Sequence, residues 1–342
     1  MNQPLKNANA VRWHTKGLAS LEAGHYNDAI KAFNKAIGID LQYGDAYYYR
    51  GFTYSIIDKN EQVINDMSKV IEITSDFPDA YYWRGVAYNE LNNYQQAIND
   101  LSKSIELGPA KALHDWPYIG RGIACHRLGN YQQAIDDYDK AIAMYPEHMN
   151  SYYNRAQAYY DLGNYQQAID DYSKAIAFNP TDSAIYESRG LAYYVLGSYQ
   201  KAINDYSKFI ELVPGLPSGY FWRGVAYNAL SNYQQAINDF SKVIELEPEG
   251  SLHNSSYIDR GIAYSELGNY QQAINDYDKA IALNPKTTRC YINRGWAYAQ
   301  LDNYNQAISD YSKAIRLEPK NAEIYMKRGG VYEQSRSGNT GQ

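Results

Sequence analysis

The chain has 342 residues, of which 45% are hydrophobic and 20% charged, a balance that excludes a disordered or low-complexity chain. Its net charge of −6 and its pI of about 5.6 argue against a nucleic-acid partner, because a phosphate backbone is bound by clustered Lys and Arg. No apolar run approaches the roughly 18 residues of a membrane helix, and residues 1–10 lack the apolar stretch of a secretory signal, so we expect no membrane insertion and a cytoplasmic location.

Glycine recurs along the chain at a nearly constant interval. The usual interval is the one from Gly51 to Gly85, and Ala156 stands in for one of the glycines. Two intervals are slightly longer, and they end at Gly122 and Gly261. Within each unit, apolar and small residues follow a three-and-four spacing, which is typical of amphipathic helix and not of strand. The sequence therefore predicts a repeat array with two helices in each unit.

The repeat divides the chain into an array with short ends. We predict an N-terminal arm over residues 1–9, a repeat array over residues 10–333 and a flexible polar tail over residues 334–342. The array holds nine full units and a final single helix, and its units begin near residues 10, 44, 78, 115, 149, 183, 217, 254, 288 and 322. Positions within a unit are counted from these starts.

Recurring residues predict how each unit folds into a hairpin. Position 15 is often glycine or asparagine, as at Gly163, where a left-handed residue can end the first helix. Proline at position 32 follows seven of the second helices, because it cannot continue a helix. A hairpin brings position 8 level with position 24, so a glycine should accept a ring there, as for Gly122 with Tyr138 and Gly190 with Tyr206.

A repeated pair of opposite charges predicts a structural ion pair. Arg occupies position 7 of every unit except the first, and Asp occupies position 23 of every second helix except the first. The pair forms either within a unit, as Arg155 with Asp171, or between units, as Arg189 with Asp171. The first unit lacks both residues, which favours a pair within a unit. The last unit keeps Arg328, which could pair with Asp310 of the unit before, and this favours a pair between units.

A block of four units occurs twice in the chain. The segment WRGVAYN that ends at Asn89 reappears ending at Asn228, and we call this separation along the chain the block offset. The segments LHDWPYI and LHNSSYI are separated by the same block offset and mark short insertions that account for the two longer intervals. Two interpretations of the insertions stay open, a longer loop that alters the local stacking angle or a specific contact made by His114 and His253.

This pattern closely resembles the tetratricopeptide repeat, and one good match consists of Tyr186, Gly190, Tyr193, Ala202, Tyr206 and Pro214. The resemblance extends over about residues 10 to 333. It implies an all-α fold, a right-handed α-solenoid of stacked helix-turn-helix units. It also implies a non-enzymatic scaffold for protein–protein interactions, which holds a peptide segment or partner helix in a concave groove lined by the first helices.

The sequence offers no residues suited to catalysis, cofactor binding or metal binding. No two of the six histidines have the i, i+4 spacing of a zinc site, and no phosphate-binding loop or nucleophile elbow is present. The acidic residues recur in every unit, which favours a solvated or ion-paired surface over a catalytic pair. Cys125 and Cys290 are interpreted as two unpaired thiols.

The outward face of the first helices is the predicted partner-binding surface. Positions 2, 5, 9, 12 and 13 should point away from the partner helices, yet many of them are apolar or aromatic. The candidate partner-binding residues are Tyr48, Phe52, Tyr82, Ile119, Tyr153, Tyr160, Glu187, Tyr194, Phe221, Ile258, Ile292 and Trp296. The tyrosines at position 17 (Tyr165, Tyr199 and Tyr270) should instead pack between units as core residues.

The polar residues of this surface lean acidic, through Glu90, Asp161, Glu187 and Glu266. We therefore expect a protein or peptide partner that is apolar with some basic residues. Two alternatives stay open. In the first alternative, the chain is the targeting or regulatory arm of a multiprotein enzyme complex. In the second, it self-associates through its final unit.

Overall fold

The computed structural model describes residues 3–108 and 115–337, and the regular elements in these ranges are all helical. Helices α1 to α10 form one compact body and α11 to α19 another, called here the N-terminal and the C-terminal body. The helices are α1 (Gln3–Glu22), α2 (Tyr26–Ile39), α3 (Gly44–Ile56), α4 (Asn60–Ile73), α5 (Pro78–Glu90), α6 (Tyr94–Leu107), α7 (Trp116–Arg127), α8 (Tyr131–Met144), α9 (Met149–Asp161), α10 (Tyr165–Phe178), α11 (Ser183–Val195), α12 (Tyr199–Leu212), α13 (Pro217–Ala229), α14 (Tyr233–Leu246), α15 (His253–Glu266), α16 (Tyr270–Leu283), α17 (Thr288–Gln300), α18 (Tyr304–Leu317) and α19 (Ala322–Ser337).

The helices begin close to where the repeat predicts. Every first helix from α3 onward starts within one residue of a predicted unit start. The two ends differ, since α1 already begins at Gln3 and continues through most of the predicted arm, and α19 includes residues 334–337 of the predicted tail. His114, one of the two histidines at the insertions, lies outside the described residues, whereas His253 is buried at the start of α15.

Each body is a stack of helical hairpins. Every helix packs on its sequence neighbour within the body, and the first helices also contact one another in order, from α1 to α9 in the N-terminal body and from α11 to α17 in the C-terminal body. At position 15 the backbone is left-handed, with φ of 86° at Gly163 and 58° at Asp302, which confirms how the first helices end. The first helices consequently form a continuous row along each body.

Glycine at position 8 lets the two helices of a hairpin approach closely. A Cβ atom added at Gly122 would lie 2.6 Å from Tyr138 Cε1, and one added at Gly190 would lie 2.9 Å from Tyr206 Cε1. Both rings are fully buried, at 1% and 0% exposure. The predicted contact between positions 8 and 24 is therefore confirmed, and any larger residue at position 8 would displace a core ring.

The Arg residues at position 7 link neighbouring helices. Each one from Arg50 to Arg294 donates from Nε and a terminal nitrogen to both oxygens of the Asp in its own unit, so the pair is within the unit: Arg50–Asp66, Arg84–Asp100, Arg121–Asp137, Arg155–Asp171, Arg189–Asp205, Arg223–Asp239, Arg260–Asp276 and Arg294–Asp310. These bonds raise the pKa of Arg84 above its ordinary value.

The remaining terminal nitrogen of the guanidinium reaches the preceding hairpin. Wherever both helices lie in one body, it donates to the side chain at position 25 of the unit before, as Arg223 does to Ser207 Oγ at 3.2 Å. Arg328 uses the same bond, to Ser312 Oγ at 3.1 Å, which explains its retention in the last helix and shows that a pair with Asp310 is not the reason. A guanidinium has enough N–H groups for both interactions.

The cysteines are buried and free, as predicted. Burial raises the pKa of Cys125 and of Cys290 to about 11, so both thiols stay protonated near neutral pH. We expect the native protein to give no colour with a chromogenic thiol reagent near pH 8. Two thiols should react once guanidinium chloride unfolds the protein. Rapid labelling of the native protein would contradict this packing.

Candidate partner-binding face

The surface formed by positions 9, 12 and 13 of the first helices is called here the first-helix face. It differs from the outer surface of the second helices, which is polar, as Gln166, Gln167, Asp170 and Lys174 of α10 are all exposed. Position 9 is half-buried or exposed wherever it is apolar, from Phe52 in α3 to Trp296 in α17. The first-helix face is therefore the more apolar of the two surfaces.

Four of the predicted partner-binding residues belong to the core. Tyr82, Ile119, Phe221 and Ile258, at position 5, are only 5 to 8% exposed. Each lies where its own second helix meets the next hairpin, and Tyr82 for example clusters with residues of α6 and α7. The expectation that these four contact a partner is wrong, because the neighbouring hairpin already covers them.

Tyr48, Phe52 and Tyr153 are half-buried in the N-terminal body. The ring of Phe52 packs edge-on against that of Trp83, with 5.1 Å between the ring centroids. The ring of Tyr48 packs edge-on against that of Phe77, with 5.2 Å between the centroids. Tyr153 accepts a hydrogen bond at its hydroxyl from Gln157 Nε2, at 2.7 Å. These three rings are therefore held in place by neighbours within the protein and offer a partner only part of their surface.

The tyrosines at position 12 lie on those at position 17. Tyr160 packs edge-on against Tyr165, with 5.2 Å between the ring centroids, and the ring centroids of Tyr194 and Tyr199 are 5.3 Å apart. All four side chains are half-buried. The prediction that position 17 is core was thus too strong, since these rings lie at the margin of the first-helix face and support the rings at position 12.

Titratable side chains of the face also contact one another. In the N-terminal body, His126 Nε2 lies 2.7 Å from Asp161 Oδ2, on the neighbouring first helix. Glu90 and Arg127 are exposed, and Glu187 in α11 of the C-terminal body is half-buried. Asp161 is therefore already in contact with a side chain of the neighbouring first helix.

A cavity of about 200 Å³ opens on this face in the C-terminal body, among α15, α16, α17 and α19. It contains two of the predicted residues, and Trp296 is 36% exposed with its ring edge-on to Tyr270 at 5.5 Å. The lining residues are Ile262, Ser265, Glu266, Tyr277, Ile292, Asn293, Trp296 and Lys327. We call this cavity the Trp296 pocket.

The Trp296 pocket has a neutral buried end and a charged rim. Ser265 Oγ and the Tyr277 hydroxyl lie 3.3 Å apart in the buried end, and burial raises the pKa of Tyr277 to about 12. Glu266 is exposed, and the half-exposed Lys327 has its Nζ 3.3 Å from a carboxylate oxygen of Glu323. The pocket can therefore accept an apolar side chain while the rim meets polar or charged groups.

The duplicated block supplies a natural comparison. At the block offset, Tyr153 takes the place of Ile292 and Gln157 the place of Trp296. In the N-terminal body the longer Tyr153 side chain is fixed by its hydrogen bond from Gln157. Ser265, Asn293 and Lys327 were not predicted from the sequence, and the signal for this location is the difference between the two blocks at Ile292 and Trp296.

The described ranges contain no group of three or more His, Cys, Asp or Glu side chains that could hold a metal ion. Over the same residues, no helix is both long enough and apolar enough to cross a membrane.

Several solved structures are similar to this chain in fold. A tetratricopeptide repeat-containing protein from Cytophaga hutchinsonii is 21% identical with a TM-score of 0.56, and the match covers 82% of this chain and 98% of that chain. A tetratricopeptide repeat protein from Parabacteroides merdae is 21% identical with a TM-score of 0.53, over 75% of this chain and 98% of that chain. The Cut9–Hcn1 hetero-tetramer matches at 18% identity and a TM-score of 0.50, over 90% of this chain and 60% of that chain.

No curated protein sequence matches the chain significantly. Models of the tetratricopeptide repeat match residues 10–43, 76–147, 121–183, 190–231, 217–249, 255–287 and 295–335. Together these matches span most of the chain and coincide with the helical hairpins. The chain therefore belongs to the tetratricopeptide repeat family.

Proposed function

We propose that this chain is a non-enzymatic scaffold that binds an extended segment of a partner protein on its first-helix face. Tetratricopeptide repeats build protein-interaction scaffolds, and the similar Cut9–Hcn1 structure is itself a complex of two different proteins. The observation that carries the proposal is the Trp296 pocket, an open cavity beside an exposed tryptophan in a surface of otherwise packed rings.

The pocket residues suit a peptide. An apolar partner side chain would be buried against Ile262, Ile292 and Trp296, which supplies the hydrophobic gain. The carboxamide of Asn293 can donate to and accept from the backbone of the segment. Exposed Glu266 would attract a basic residue beside the apolar one, so we propose a partner segment that is apolar with a basic neighbour.

Replacing two apolar side chains of the pocket should weaken binding without unfolding the protein. The double variant Ile292→Tyr, Trp296→Gln copies Tyr153 and Gln157 of the other block, so its side chains have a precedent in this fold. With a partner isolated by affinity purification, we expect micromolar binding in titration calorimetry and a loss of at least about tenfold in the double variant.

Leu283→Ala is the matched control, because Leu283 is 53% exposed at the end of α16 and lies outside the pocket. It should leave affinity unchanged, and melting curves should show all variants folded. Glu266→Lys should weaken binding several-fold and reverse the dependence on salt. Unchanged affinity in the double variant would remove the pocket from the binding surface.

A further inference from the structure

A second cavity, of about 350 Å³, lies in the N-terminal body and is independent of the first-helix face. It is formed where α7 begins and where α8 gives way to α9. Its lining residues are Asp115, Trp116, Tyr145, Glu147 and His148. We call it the Trp116 pocket.

Two aromatic side chains of the Trp116 pocket are unusually exposed. Trp116 is 43% exposed and Tyr145 is 50% exposed, although large aromatic side chains dominate cores and interfaces. The ring of His148 lies 5.5 Å from that of Trp116, at an interplanar angle of 57°. Trp116 is thus supported on one side by His148 and retains free surface for a ligand.

The charged side chains that line the Trp116 pocket are acidic. Asp115 is only 4% exposed, and one of its carboxylate oxygens lies 3.5 Å from His148 Nδ1, which is itself 3.0 Å from Ser151 Oγ. Glu147 is exposed at the rim. The five lining residues thus include two carboxylates and neither Lys nor Arg, so the pocket attracts a cation.

The duplicated block shows that the fold does not require these side chains. At the block offset, Asp115, Trp116, Tyr145, Glu147 and His148 are replaced by Asn254, Ser255, Asn284, Lys286 and Thr287. The second block forms the same pair of hairpins, and Asn254 Nδ2 donates instead to the backbone carbonyl of Ala280, at 2.9 Å. Aromatic surface and negative charge are therefore concentrated in one of two otherwise equivalent places.

We propose that the Trp116 pocket binds the guanidinium group of an arginine side chain from a partner protein. A guanidinium is planar and weakly hydrated, so it stacks on an indole or phenol ring while its N–H groups donate to carboxylates. The pocket offers both kinds of group within one cavity. An ammonium group is a compact and strongly hydrated charge that gains less from the two rings.

The test follows the indole N–H signal of Trp116 by NMR in the full-length chain labelled with ¹⁵N. The signal is identified by its absence in Trp116→Phe. Titration with N-acetyl-L-arginine methylamide should shift it saturably, with a dissociation constant in the millimolar range. N-acetyl-L-citrulline methylamide has nearly the same shape without the charge and should produce no saturable shift.

Glu147→Lys introduces the residue of the second block at an exposed position and should weaken arginine binding at least about fivefold. Glu249→Lys, which changes the net charge equally at another exposed site, should leave it unchanged. Asp115→Asn should also weaken binding, but Glu147 provides the variant that leaves the buried residues intact. The proposal is overturned if citrulline or the corresponding lysine derivative binds as tightly as arginine, if no saturable shift occurs, or if Glu147→Lys has no effect.

Discussion

Replacing Tyr138 with alanine should lower the local stability of its hairpin by about 3 to 5 kcal/mol, the usual loss for a large aromatic deleted from a core. The ring of Tyr138 is 1% exposed and fills the space above Gly122, where alanine leaves a cavity against a backbone that cannot collapse. Native-state hydrogen exchange resolved by helix measures the loss, which should centre on α7 and α8 and fade towards the ends of the chain.

Tyr131→Ala is the matched control for Tyr138→Ala. Tyr131 begins the same helix, α8, but is half-buried at the margin of the core, so its removal should have a much smaller effect. Equal losses in the two variants, or a uniform loss of protection along the whole chain, would show that burial beneath the glycine is not what stabilises the hairpin.

Removing Asp239 alone should be about as damaging, at roughly 3 to 5 kcal/mol, because a half-buried guanidinium is left without its carboxylate. Asp239 accepts two hydrogen bonds from Arg223, at 2.8 Å each, and the side chains of the pair are 8% and 20% exposed. We expect Asp239→Ala to show this loss in urea unfolding followed by circular dichroism, and in the hydrogen-exchange protection of α13 and α14.

The double variant Arg223→Met, Asp239→Leu tests the reason for that loss. Apolar side chains of similar size remove both charges together, so stability should recover most of what Asp239→Ala loses. Arg328→Ala provides the control, since Arg328 is bonded to Ser312 and lacks the paired carboxylate bonds of the other units. A double variant as unstable as Asp239→Ala would show that the loss comes from packing and not from an unpaired charge.

The hairpins could be predicted from the sequence because they depend on distances within one unit. The contact of Gly122 with Tyr138 follows from folding a helical pattern back on itself at position 15. The partner of Arg at position 7 could not be decided, because the Asp lies within reach of two hairpins. The structure resolves the choice by using different N–H groups for the two neighbours, as Arg223 does with Asp239 and Ser207.

The burial of position 5 could not be predicted from one unit. Tyr82 faces outward from its own hairpin, and it becomes core only because the next hairpin packs on it through residues such as Ala124. The angle between hairpins determines this contact, and no residue within the unit specifies that angle. Ile292 and Trp296 were predicted from their apolar character, but the openness of their pocket depends on packing among four helices.

The bond to position 25 has a further consequence for the mechanics of the array. Most of these acceptors are neutral, but Asp139 and Asp278 are carboxylates, 52% and 49% exposed, and they bind Arg155 and Arg294. Dissolved ions screen an exposed ion pair far more than a neutral hydrogen bond. Concentrated salt therefore weakens two contacts between neighbouring hairpins, that of α8 with α9 and that of α16 with α17. Because each hairpin is stabilised by its neighbours, fewer hairpins then unfold together as one cooperative unit.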